Sequence, residues 1–123
     1  MDADVELSAD GIVVIRFHDG VRLNGHNLPP VVEAHVAVAD GQRRPVLVDI
    51  RGLVSVDRAA RQLASGPRVE AITSRLALVV GNAATRVIGN FFLRVTGPGY
   101  PLRLFADEEL ARAWLLEVSS DGR

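Results

Sequence analysis

Three times along this chain a short apolar run leads through a polar loop into an amphipathic segment. The runs are Pro45-Val46-Leu47-Val48-Asp49-Ile50 before Asp57, Leu76-Ala77-Leu78-Val79-Val80 before Asn82, and Leu102-Arg103-Leu104-Phe105 before Asp107. Strands that read as unbroken apolar runs and alternate with helices predict a parallel sheet covered by helices. The helix starts carry their own signals. Asp57 and Asn82 have side-chain oxygens that can accept free backbone N–H groups, and Asp107-Glu108-Glu109 sets three acids at the positive end of the last helix.

The remaining segments complete the order. Val5 to Leu7 and Ile12 to Phe17 flank Ser8-Ala9-Asp10-Gly11, whose Asp-Gly pair predicts a turn and hence an antiparallel hairpin. A polar stretch from His18 to Asn27 follows. Pro30 then opens helix one, with Val31, Ala34, Val38 and His35 toward its inner face and a stop at Asp40-Gly41. Helix two has the stripe Ala60, Leu63 and Ala64 and ends at Gly66-Pro67, before an irregular or single-turn connector at Arg68 to Thr73. In helix three Val87, Ile88, Phe91, Phe92 and Val95 recur at spacings of three and four, up to a stop at Gly97-Pro98-Gly99. Helix four carries Leu110, Ala113, Trp114 and Val118, and the tail from Ser119 is expected to fray. The order is β-β-α-β-α-β-α-β-α: a mixed sheet with an N-terminal antiparallel hairpin, then parallel β-α units. With 123 residues, 48% of them hydrophobic, residues 1–123 form one α/β domain.

Charge narrows the function classes. A net charge of −1 provides no field for nucleic acid or an anionic membrane, so neither is an expected partner. All 14 basic residues are arginine, which reads first as a bias of the encoding genome. Cysteine is absent, which removes disulfides, thiol catalysis and thiolate metal sites. The acidic start, Met1-Asp2-Ala3-Asp4-Val5-Glu6, is unlike a secretory signal, and no run reaches the roughly 20 apolar residues of a membrane span, so a cytoplasmic location is expected.

This order, together with Val46-Leu47-Val48-Asp49-Ile50-Arg51-Gly52, Gly89-Asn90-Phe91-Phe92-Leu93 and the segment from Arg103 to Leu115, resembles small uncharacterised bacterial proteins grouped with STAS domains. STAS domains are those of anti-sigma-factor antagonists and of sulfate-transporter tails. The resemblance spans nearly the whole chain and implies a mixed sheet with helices mainly on one face, without an established activity. In the phosphoregulated antagonists the stretch resembling Asp49 to Val56 leads to Asp-Ser-Ser-Gly, where a serine is phosphorylated. Here it leads to Asp57-Arg58-Ala59-Ala60, which lacks that hydroxyl, leaving Ser55 as a nearby serine.

Four constellations carry candidate chemistry. Arg51, Ser55, Asp57, Arg58 and Arg61 surround the loop after the first parallel strand, where open α/β sheets tend to meet ligands and partners; a solvated arginine face is the plain alternative. Gly89, Phe91, Phe92 and Leu93 form the second set. Three consecutive large apolar residues cannot share one helix face, and Gly89 in mid-helix points to a close approach to the backbone. Packing on two sides, a homodimer contact and the wall of an apolar pocket all fit. Gly81-Asn82-Ala83-Ala84-Thr85-Arg86 reads as a capped helix start in preference to an anion site. His18, His26 and His35 match no ligand spacing, so neither metal nor cofactor is expected.

No acid, base and nucleophile converge in the pattern, which favours a non-enzymatic module acting on a protein partner or on a second copy of itself. The alternative is a binder of a small apolar or lipid-like ligand held between the sheet and helix three.

Overall fold

In the computed structural model, residues 1–95 and 99–117 are described, the side chain of Val95 excepted. Val13, Val14, Ile15 and Phe17 are all buried along one short strand, so this strand has a covered surface on both sides. The same is true of Val46 with Leu47 and of Leu76 to Val79. Burial on both faces is why these segments read as unbroken apolar runs and not as alternating ones.

The chain runs β1 (Ala3–Leu7), β2 (Val13–Phe17), β3 (Val21–Leu23), α1 (Leu28–Ala39), β4 (Arg44–Asp49), β5 (Leu53–Val56), α2 (Arg58–Ala64), α3 (Pro67–Glu70), β6 (Thr73–Val79), α4 (Ala83–Val95), β7 (Leu102–Phe105) and α5 (Glu108–Leu115). A five-stranded mixed sheet has the order β1-β2-β4-β6-β7. The β1–β2 pair is antiparallel and the other three pairs are parallel. The hairpin turn closes at Gly11, whose φ of +87° is a glycine conformation. The predicted order thus holds for the main sheet and its helices.

Two strands lie outside that prediction. β3 and β5 pair in parallel as a separate two-stranded ribbon, inside stretches read from sequence as polar loop. With three and four residues, they are too short for period-two alternation to announce them. The connector after Gly66 is the single turn α3.

Two apolar clusters divide the interior. On one face of the sheet, Val13, Ile15, Val46 and Leu78 pack with Leu28, Val31 and Val32 of α1, Ala60 of α2 and Val69 of α3, while Ile88 and Phe92 of α4 rest on the same cluster. On the other face, Ile12, Val14, Leu47, Ala77 and Val79 are covered by Ala111, Trp114 and Leu115 of α5. Helices therefore sit mainly on one face, with α5 alone on the second. The helix starts are capped as expected. Asp57 accepts the Ala60 N–H at 2.9 Å, and Asp107 accepts the Glu109 and Leu110 N–H groups at 2.7 and 3.1 Å. Residues 96–98, with the predicted stop at Gly97-Pro98, and residues 118–123, with Val118 and the tail, lie outside the described residues, as does the side chain of Val95.

Candidate functional site

Between the sheet and the layer of α1 to α4 lies an apolar cavity of about 90 Å³. Ile15, Val46 and Leu78 line it from the strands, and Val31, His35 and Phe92 from the helices. His35 is brought there by helical spacing, since Val31, Val32, His35 and Ala39 form the buried stripe of α1. It is 3% exposed, and its Nε2 has no hydrogen-bond partner. Burial pushes the imidazole pKa down to about 4, so the ring is neutral at pH 7. Tyr100 is the other titratable residue among the described lining; burial and the charge of Glu70 both raise its pKa.

This burial carries a pH signature. An unfolded chain takes up a proton on His35 near pH 6.5, whereas the folded one resists until about 4. The unfolded state thus binds more protons in that window, so stability is complete above 6.5 and falls as the pH drops toward 4. The full shift is worth roughly 3 kcal/mol. Urea unfolding at pH 7 and pH 5 is expected to show a little over half of that loss in the wild type and little of it in His35→Leu. Equal pH slopes in the two proteins would sink the assignment.

The two sets of surface candidates partly meet. The guanidinium of Arg61 in α2 stacks over the Phe91 ring of α4 at 4.5 Å, within cation–π range. Arg58, Gln62 and Ser65 border the same shallow depression. Neither Arg58 nor Arg61 takes part in an ion pair among the described residues. Asp57 is committed to its cap, and Ser55 is exposed on β5. Gln62 and Ser65 carried no sequence signal, because only the packing of α2 beside α4 brings them to Phe91.

Other candidates disperse. Arg51 belongs to a network under α5: it donates to Asp49 at 3.0 and 2.8 Å and lies 3.7 Å from Glu108. Arg16 donates to both Glu108 oxygens at 2.7 and 2.6 Å and to Asp49 at 3.2 Å. Hydrogen bonds from Arg16 hold the Glu108 carboxyl below its usual range. Burial works to raise the pKa of Asp49, but the bonds from Arg51 and the charge of Arg16 bring it down. The four residues of the helix set divide between an inner side, with Gly89 and Phe92, and an outer side, with Phe91 and Leu93. A Cβ on Gly89 would lie 2.8 Å from Leu104 Cδ2 and 3.2 Å from Val80 Cγ1, so the close approach comes from the chain's own sheet. Phe92 enters the cavity, Phe91 meets Arg61, and Leu93 is exposed.

The loop before α4 is internally satisfied. Thr85 Oγ1 accepts the N–H groups of Gly81 and Asn82 at 2.9 and 3.0 Å, and Asn82 accepts that of Thr85 at 2.8 Å. These amides are occupied by the cap, as the sequence reading favoured. His18 pairs with Asp4 at 3.2 Å, His26 is exposed, and His35 is buried, so the three histidines do not converge. Among the described residues no group of three or more His, Cys, Asp or Glu could hold a metal ion. No helix among them is long and apolar enough to cross a membrane.

Comparison with known proteins places this geometry. A family model, described as a domain of unknown function (DUF7793), matches residues 5–119. The chain belongs to the DUF7793 family. Among solved structures, an uncharacterised DUF3478 protein with a SpoIIAA-like fold from Shewanella loihica PV-4 superposes with a TM-score of 0.64 at 19% identity, over 92% of this chain and 91% of that one. That likeness shows the fold: this DUF7793 domain is STAS-like. A protein of unknown function from Arthrobacter sp. FB24 is 28% identical over 94% of each chain, with a TM-score of 0.33. No curated protein matches the chain.

Proposed function

We propose that this domain is a non-enzymatic STAS-like interaction module that holds a protein partner on the surface shared by α2 and α4. The observation that supports it is the stack of Arg61 on Phe91, which joins an arginine cluster and an aromatic side chain from separate helices into one surface. Arginine and aromatic residues are the types that dominate binding energy at protein interfaces. Val87, one turn before Phe91, extends the apolar part and is 68% exposed. The chemistry fits a partner presenting carboxylates beside an apolar side chain. Arg58 and Ala59 stand where the antagonists carry serines, so the module works without that phosphorylation switch.

Native mass spectrometry of the protein, isolated gently from its own cells, is expected to show one defined complex. Arg58→Glu should weaken that complex about tenfold or more while leaving the melting temperature in place. A second copy of this chain in the complex would name the partner as itself. A complex that survives both Arg58→Glu and Phe91→Ser would rule this surface out.

A second reading, a binder of a small apolar or lipid-like ligand, is favoured by a different observation, the cavity between the sheet and α4 with Phe92 in its wall. Uptake of an apolar probe such as toluene, followed on cavity methyl groups, tests it.

A further inference from the structure

The cavity is apolar except for two lining side chains, His35 and Tyr100, and of these His35 holds the buried nitrogen that folding alone leaves unexplained. His35 places a nitrogen with no partner among residues that are otherwise aliphatic or aromatic. A buried polar atom left unpaired loses its hydrogen bonds to water and gains none in return, a cost that an apolar side chain of similar size would avoid. Water is a poor remedy. An ordered buried water makes two to four hydrogen bonds, whereas cavities with apolar walls stay dry. A guest with an apolar body and one hydrogen-bonding group satisfies the walls and the nitrogen together.

We propose that the cavity takes a small neutral molecule made of an apolar body and a single hydroxyl, with the hydroxyl hydrogen-bonded to His35 Nε2; this rests on the cavity being a ligand site. Three arguments narrow the class. A carboxylate or phosphate would bring a charge among walls that contain no arginine in the described lining, and burial keeps His35 itself uncharged at pH 7. A hydroxyl both donates and accepts, so it pairs with the imidazole in either tautomer, whereas an ether or a ketone pairs with only one. An engineered apolar cavity of about 150 Å³ takes up benzene. This cavity is smaller, at about 90 Å³, but Val56, Phe92 and Tyr100 in its wall keep partial exposure, so a single ring or a short chain is the fitting size.

Phenol and toluene are the probes, because they differ only in a hydroxyl against a methyl of similar size. Their dissociation constants are measured by titrating the methyl resonances of Val31 and Leu78, in the wild type and in His35→Leu. Both probes are expected to bind the wild type, and the ratio of phenol to toluene affinity should fall about tenfold in His35→Leu. In the wild type, phenol should shift the His35 Nε2 resonance and toluene should not, a readout that stands even if the variant fails to fold. Two bound probes with an unmoved nitrogen and an affinity ratio within about twofold of the wild type would overturn the role of His35 and leave the cavity as a ligand site. No methyl shift with either probe, up to their solubility, would overturn the ligand site itself.

Discussion

Trp114→Ala is expected to remove about 4 kcal/mol of stability, because the indole is the main closure of the second apolar cluster. The side chain is 8% exposed and packs against Phe105 with ring centroids 5.7 Å apart. Beneath it lie Ile12, Val14, Leu47, Ala77 and Val79, all of which need a cover on this face. Helix α5 is the cover, and with eight residues it is too short to persist alone. Its N-terminus is tied to the sheet by Glu108 with Arg16, and its last turn by Arg75, which donates to the Trp114 carbonyl at 2.7 Å. The arginines at both ends are partly solvated, so the packing of the indole carries more of the docking than the charges do. Hydrogen exchange should then show the α5 amides opening faster than those of β4 and β6. A loss under about 1.5 kcal/mol would mean that the site collapses around the missing ring.

How far the sequence reveals this molecule follows from what each signal depends on. The alternation of β4 and β6 with helices is legible because burial on both faces writes apolar runs into the chain, the edge strand β7 is legible from its short run of Leu102, Leu104 and Phe105 before Asp107, and the caps at Asp57, Asn82 and Asp107 are legible because each is a local contact over two or three residues. Arg51 shows the limit. Nearness in sequence grouped it with Arg58 and Arg61, yet β4 points Leu47 and Asp49 toward α5, and Arg51, two residues farther, follows Asp49. Period-two alternation carried that signal. His35 was visible near the inner face of its helix, but whether a buried nitrogen finds a partner depends on every element packed around it. The stack of Arg61 on Phe91 likewise joins residues 30 apart that no spacing rule connects.

Gly52→Ala is expected to cost about 3 kcal/mol, although no turn type demands glycine there and its φ is not in the left-handed region. A Cβ at this position would lie 2.5 Å from the carbonyl oxygen of His18 and 2.9 Å from that of Phe17. Both are backbone atoms at the end of β2, which is hydrogen-bonded to β1 on one side and β4 on the other, so neither can swing aside as a side chain would. The Gly20 N–H also donates to the Gly52 carbonyl at 2.8 Å, fixing the same contact from the other side. This is the junction at which the main sheet hands over to the β3–β5 ribbon, and β5 leads directly to Asp57 and the arginines of α2. Forcing it apart should therefore disturb the α2–α4 surface as well as lower the melting point by about 10 °C. Gly81→Ala is the control: its Cβ would meet Arg51 Cγ at 3.1 Å, but a half-exposed arginine side chain can yield, so the change should be small. If the two variants melt together, the approach of Gly52 to β2 is looser than its distances indicate, and the start of α2 is held by the cap at Asp57 instead.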